Sequence, residues 1–413
     1  MRKVQPPPPF TRFKLWRKRP PMDSRPPNRR RKRPRKLPVV PQTSSSAAND
    51  DVVRDRISNL PDSILCHILS KLPTKTAIAT AVLSTKWKHL FASIPNLTLL
   101  IDDNAVSKQP NPNFVNFMYH LLNVTIRHVP SIRKFELVCR HDYGNSHVDA
   151  WVSTALGLKV SALHLFFPVE NTGVSIEGIF QCETLEELVL YQHLYVEVPD
   201  TVFLPNLTAL ALGGSVKFPD FESLEIIMSG CPVLEELSLD GCKFEQTDAF
   251  RICSPSLKFL RINNCNDDDF YEVSIHTPLL EVLIYDDIVA TGYSWMNLNS
   301  LRKAYIDVGV SDFLVEVTDD EDFQRYNQNV AELVAACCNV DCLGLSAPSM
   351  AAIHWSSYAI PMFYNLTELK LGDLSELGWE LLPHLLESAP NLETLVFIGV
   401  LAKLLVSFIT LII

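Results

Sequence analysis

From Ile132 onward the chain repeats one arrangement of apolar positions: an apolar residue, two spacers, a second apolar residue, one spacer, a third. It occurs as IRKFEL (132–137), VSALHL (160–165), LEELVL (185–190), LTALAL (207–212), LEELSL (234–239), LKFLRI (257–262), LEVLIY (280–285), LRKAYI (301–306), VDCLGL (340–345), LTELKL (366–371) and LETLVF (392–397). Successive copies begin 21 to 28 residues apart, apart from one interval of 39. The closing alternation sends one side chain inward and the next outward, as a β-strand does, and the two-residue spacing before it predicts a bend into that strand. One such triple is common; eleven at this spacing predict a unit that buries its apolar face only by stacking on its neighbours.

Upstream the period changes. In LPDSILCHILSKL (Leu60–Leu72), Pro61 suits the first helical position and Asp62 the positive end of a helix. Ile64, Leu65, Ile68, Leu69 and Leu72 then form one helical stripe. Pro73 enforces a break, and Thr74 is the expected cap of a second helix running through Val82, with Ile78, Ala81 and Val82 on its apolar face. Ser84 is the expected cap of a third helix carrying Trp87, Leu90 and Phe91, ended by Pro95. Three helices over residues 55–97 are too small for a lone core, yet they carry more apolar surface than they can hide from water. Part of that stripe is therefore expected to meet another protein. Residues 98–130 read as a helical linker to repeats spanning 131–397.

The repeat intervals fit leucine-rich repeats, whose period is ~20–29 residues. The predicted fold class is an α/β repeat, a leucine-rich-repeat solenoid (horseshoe arc) preceded by a small three-helix module. Its strands form a concave wall, with irregular or helical segments on the convex side. Cys242 and Cys265 follow the last apolar position by three, where such repeats favour Asn or Cys. The 39-residue interval holds TDDEDFQRYNQNVAELVAACC, read as an acidic helix start with Ala331, Val334 and Ala335 on the buried face. A loop over the concave face is the alternative.

Charge alters the picture at the N-terminus. Residues 1–36 hold 15 Lys and Arg against one acid, Asp23, whereas the remainder holds 22 basic and 46 acidic residues. Proline and charge density in residues 1–50 predict a disordered basic arm. Arg29, Arg30, Arg31, Lys32, Arg33, Arg35 and Lys36 resemble a nuclear import signal, giving an expected nuclear and/or cytoplasmic localisation. A polyanion-binding tail or a spacer is the plainer reading. With no apolar leader at the N-terminus, the ten scattered cysteines are expected to be reduced and mostly buried.

Candidate chemistry changes little. There is no P-loop, GxGxxG, HExxH or GxSxG arrangement. His164, His193 and His276 are expected in core or surface hydrogen-bonding roles. Glu186-Glu187, Glu235-Glu236 and Asp286-Asp287 read as solvated edges. No catalytic residue, cofactor or metal is expected. At the other end, VFIGVLAKLLVSFITLII (Val396–Ile413) carries one charge, Lys403. As a helix it would span ~27 Å. Residues 398–413 are read as an apolar tail from non-homologous coding sequence, with a membrane tail anchor and a final buried strand as alternatives.

The stretch LPDSILCHILSKLPTKTAIATAVLSTKWKHLFASIPNL, with its opening Leu-Pro, Ile-Leu pairs, LPTK and Ser-x-x-Trp, resembles the F-box of plant F-box/leucine-rich-repeat proteins. The likeness is to the subfamily that also carries an FBD domain, a segment this chain is expected to lack. Lys71, Lys86 and Phe91 depart from the subfamily pattern. The resemblance implies a substrate-recognition subunit of an SCF-type ubiquitin ligase. Its F-box would bind a Skp1-like adaptor, and through it a cullin, while the repeats hold an unknown target protein. By position, Leu60, Pro61, Ile64, Leu65, Ile68, Val82, Leu83 and Trp87 would face the adaptor or support that face. A nucleic-acid- or chromatin-associated scaffold acting through the basic arm, or a membrane-tethered interaction protein, are the other readings.

Overall fold

The computed structural model describes residues 57–84, 86–103, 111–167, 177–246, 249–265, 272–296, 298–309, 320–356, 359–372, 376–398 and 409–412. The basic arm, with the run expected to act as an import signal, lies outside the described residues. The chain opens with helices α1 (Asp62–Ser70), α2 (Thr74–Ala79, extended by a 3₁₀ turn over Thr80–Val82) and α3 (Trp87–Leu90, extended over Phe91–Ser93). Both Leu-Pro pairs start a helix with the proline itself at the N-cap: Pro61 sits one position earlier than the sequence suggested, and Pro73 takes the cap position expected for Thr74. The carbonyl of Pro61 accepts from the N–H groups of Ile64 and Leu65, and that of Pro73 from Ala77. Neither Thr74 nor Ser84 caps a helix through its side chain.

The stretch expected to be a helical linker begins with a strand, β1 (Thr98–Asp102), and is helical only from α4 (Pro112–His120) and the π-turn at Leu121–Thr125. Each of the eleven sequence copies then supplies one strand of a single sheet. They are β2 (Lys134–Val138), β3 (Ala162–Phe166), β4 (Glu187–Tyr191), β5 (Ala209–Gly213), β7 (Glu236–Asp240), β10 (Phe259–Asn263), β12 (Val282–Ile288), β14 (Lys303–Gly309), β15 (Cys342–Leu345), β16 (Glu368–Leu371) and β17 (Thr394–Phe397). The sheet runs in chain order from β1 to β17, every pair parallel, and β18 (Ile409–Ile412) pairs antiparallel with β17. No helix among the described residues is long and apolar enough to cross a membrane.

Register follows the sequence pattern. Leu188, Leu210, Leu237, Leu260 and Leu283 are direct neighbours across five strands, each buried. The bend before each strand has a recurring cause: two successive N–H groups turn onto one carbonyl of the preceding repeat. Glu186 and Glu187 share the Ser161 carbonyl, Glu235 and Glu236 share that of Thr208, and the habit continues to Glu393 and Thr394 on Thr367. In six repeats the residue just before the first apolar position adds a side-chain tie to the previous repeat. Thr184, Asn206, Ser256, Ser300, Asn365 and Asn391 donate to the carbonyls of Val160, Glu183, Leu234, Pro278, Asn339 and Tyr364. Val233 and Leu279 occupy the same position and stand exposed.

The other side of the array is not simply helical or irregular. In the middle it is built from strands. β6 (Lys217–Asp220) pairs with β8 (Lys243–Gln246), and β9 (Ala249–Cys253), β11 (Glu272–His276) and β13 (Gly292–Met296) form a second parallel sheet. Helices α5 (Asn145–Gly157), α6 (Glu222–Ser229), α7 (Asp320–Ala336), α8 (Ala347–Trp355) and α9 (Glu376–Glu387) occupy five of the returns, and the return between β3 and β4 holds a 3₁₀ turn (Glu177–Gln181). Interval length decides which. The returns through β9, β11 and β13 belong to intervals of 21 to 23 residues, whereas the five helical ones take 26 or more. An extended chain covers ~3.3 Å per residue and a helix ~1.5 Å, so a short interval can only return extended. On α7, Ala331 and Val334 are buried as expected, together with Tyr326, Val330 and Leu333; Ala335 is only half-buried.

Candidate adaptor face and outer sheet face

Folding divides the apolar stripe of the N-terminal helices into two sets. Leu65, Cys66 and Leu69 face inward on α1, with Leu65 fully buried and Trp87 only 4% exposed. Ile64 and Ile68, on the neighbouring stripe of α1, are 47% and 37% exposed, and Val82 and Leu83 are 86% and 61% exposed. Pro61 is exposed and Leu60 half-buried against the core. Of the eight residues assigned to the adaptor face, Leu65 and Trp87 therefore belong to the supporting set and cannot touch a partner. Ile57, not anticipated, adds a further exposed apolar side chain.

One lysine brings the exposed residues together. Lys86 Nζ lies 3.0 Å from Asp62 Oδ1 and donates to the carbonyls of Ser58 and Leu60, both at 2.9 Å. Trp87 Nε1 donates to Ser58 Oγ at 2.8 Å, and the Cys66 thiol reaches the Leu90 carbonyl at 3.6 Å. The entry to α3 is thus fastened to the entry to α1. Val82 and Leu83, four and three residues before Lys86, flank the same anchor as Pro61 and Ile64; three residues of chain span at most ~10 Å. Burial, then Asp62, pushes the Cys66 thiol above its ordinary pKa. Phe91 is buried, and Lys71 is exposed at the end of α1.

A second surface is the outer face of the long sheet, formed by the spacer positions of the repeats. Near its start, Lys134 Nζ lies 3.0 Å from Glu136 Oε2, and His164 lies between Glu136 (3.7 Å) and Glu187 (2.9 Å). The His164–Glu187 contact is close enough for an ion pair but is not aligned as a hydrogen bond. Burial works against the His164 imidazolium, but Glu136 and Glu187 outweigh it and raise its pKa. Val138, Phe166, Val189 and Ala211 form a small apolar cluster on this face with Tyr191, whose hydroxyl donates to Asp240; Asn263 donates to the same carboxylate. Towards the other end, Lys370 Nζ meets Glu368 Oε2 at 3.1 Å, Tyr305 Oη at 3.3 Å and Cys342 Sγ at 3.6 Å. Gly344 makes room for the Tyr305 ring, since a Cβ there would stand 2.6 Å from Cδ1.

One expectation about side chains needs correction. Asp287 is not a solvated edge. It is buried, and its carboxylate accepts from the N–H groups of Cys265, one repeat back, and Ile288. Glu235 and Glu187 are each paired, with Lys258 and His164 respectively. All ten cysteines are free thiols, and seven are buried.

A helical module with an unburied apolar face, joined to an all-parallel repeat array, defines an F-box protein with leucine-rich repeats. Residues 57–99 match the F-box domain family, and residues 148–299 match the repeats of FBD-associated F-box protein At5g56370. The chain is 36% identical over 363 residues to F-box/LRR-repeat protein At4g14096 of Arabidopsis thaliana, covering 85% of this chain and 74% of that protein. It is 35% identical over 359 residues to F-box/LRR-repeat protein At4g14103 of the same plant, covering 85% of this chain and 93% of that protein. The chain belongs to the F-box/LRR-repeat family.

Proposed function

We propose that this chain is the substrate-recognition subunit of an SCF-type ubiquitin ligase. The observation that carries the reading is the apolar face of Pro61, Ile64, Ile68, Val82 and Leu83, left in water by helices whose own core is already filled by Leu65, Leu69 and Trp87. A Skp1-like adaptor covers that face and links it to a cullin. The parallel strands form the concave wall of a horseshoe arc, and their outer-face side chains hold the target. The chain catalyses nothing itself; it raises the effective concentration of target lysines at the ubiquitin-charged enzyme. The run Arg29–Lys36 directs the chain to the nucleus.

Titration calorimetry of the full chain with a Skp1-type adaptor tests the reading. The wild type binds, and Val82→Ala/Leu83→Ala binds about thirty-fold more weakly, a loss of about 2 kcal/mol at a hot spot, with an unchanged unfolding midpoint. A folded wild type that does not bind removes the proposal.

A further inference from the structure

The free edge of β1 is where the repeat array ought to be most vulnerable. An open edge strand shows unpaired N–H and C=O groups to solvent, and a solenoid end needs a cap over its core. Here both are supplied by α2. Thr74 is buried, and its Oγ1 accepts from the N–H of Leu100 at 2.8 Å. Lys75 Nζ donates to the carbonyl of Asp102 at 2.6 Å and lies 5.3 Å from the Phe114 ring centre and 5.9 Å from that of Phe117, both on α4. The fastening continues inward. The Asp102 carboxylate takes both Nε and Nη2 of Arg140 at 3.0 and 2.9 Å, and Asp103 accepts from the Arg140 N–H, His141 and Tyr143. Leu65, Trp87, Leu99, Phe135 and Leu163 belong to one unbroken core.

We propose that the F-box is the terminal cap of the repeat array, and that Thr74 and Lys75 are the positioning residues that fasten the adaptor face to it. Docking of an adaptor on α1 and the Val82–Leu83 turn then stabilises the first repeats. This last clause rests on the adaptor reading; the capping does not. Neither residue lies on the exposed apolar face, so their removal leaves adaptor contacts in place. The physical basis is linkage: a partner that binds only the folded cap opposes every opening that releases the cap.

Hydrogen exchange of the β2 amides of Phe135 and Leu137 tests it in the full chain. With adaptor at one hundred times its Kd, openings that release the F-box become about a hundred-fold rarer, and exchange in β2 slows by up to that factor. Thr74→Val/Lys75→Ala keeps adaptor affinity within about threefold of wild type by calorimetry. It loses the adaptor-induced slowing, and Thr74→Ser, which retains the acceptor oxygen, keeps it. Equal slowing in the double variant, or no slowing in an adaptor-bound wild type, overturns the coupling. The free protein gives the second reading. Without any adaptor, the double variant exchanges β2 amides at least tenfold faster than wild type if α2 caps the array. Unchanged β2 exchange there overturns the cap, whether or not an adaptor binds.

Discussion

Aliphatic side chains meet opposite fates in the two regions of this molecule. In the array, the second and third apolar positions of every repeat from Phe135 to Leu395 are buried but for Phe397, the last. In the F-box, Ile64, Ile68, Val82 and Leu83 have the same chemistry and stand in water. The difference is one of backbone. A parallel ladder fixes each strand's register on its neighbour, and register decides which face every side chain takes. Three short helices have no such ladder. Their apolar stripe is wider than the core it meets, so geometry must choose, and the surplus becomes surface.

The sharpest way to break the comparison is to treat the F-box as all surface. Trp87→Ala removes a buried ring and the donor to Ser58 Oγ. Truncating a buried Trp costs about 3–5 kcal/mol. Adaptor binding is then lost through unfolding, visible by circular dichroism. Val82→Ala/Leu83→Ala differs, since substitution of exposed residues stays within about 0.5 kcal/mol. If Trp87→Ala left the module folded with binding abolished, the division into supporting and exposed sets would be wrong.

In the array, Leu237→Ala empties a site between Leu210 and Leu260. A loss of about 2–5 kcal/mol is expected from urea unfolding. A loss below about 1 kcal/mol would mean that the ladder tolerates vacancies as the F-box surface does.

A smaller effect sharpens the account of the repeats. Asn206 and Asn391 tie each repeat to the one before, and Val233 and Leu279 interrupt that row with exposed apolar side chains. Val233→Asn and Leu279→Asn restore the tie, each worth about 0.5–1.5 kcal/mol if the new hydrogen bond forms. A thermal midpoint that rises for both, and falls for Asn206→Ala, is the expected result.

Much of this was legible in the sequence. Eleven strands stood where the apolar triples put them, because a motif that must stack on itself writes its spacing into the chain. β1 escaped notice because Asn96 stands where the first apolar residue of a triple belongs; only the alternation of Leu97, Leu99 and Ile101 marks it. The strands β9, β11 and β13 were hidden for a different reason. Interval length carries that information, and only a comparison with the helical intervals makes 21 to 23 residues meaningful. The partition of the F-box stripe was not legible at all. Ile64 and Leu65 are adjacent and alike, and which one turns inward depends on the docking of α3. Thr74 misled because a threonine after Leu-Pro fits a helix cap, while its acceptor role towards Leu100 depends on a strand 24 residues further on.

The smallest effect tests the outer face, where charge replaces apolar packing. His164 is buried between Glu136 and Glu187, and the net shift of its pKa is upward. A group whose pKa is higher folded than unfolded binds its proton more tightly in the native state. Its contribution is therefore fully present below the unfolded value, ~6.5 for histidine, and is lost as pH rises through the folded value. His164→Gln keeps the size and polarity and removes the charge. The stability difference between wild type and His164→Gln is expected to be larger at pH 5.5 than at pH 8.5, read from urea midpoints. Glu136 sharpens the test: burial opposes its ionisation, but His164 and Lys134 prevail and hold its carboxyl below the usual range, so it stays charged at pH 5.5. A difference that does not grow towards low pH would mean the imidazole is neutral in the folded chain. Glu136 and Glu187 would then gain nothing from a charge on His164, leaving the start of the outer face more open to a cationic target than the ion pairs suggest.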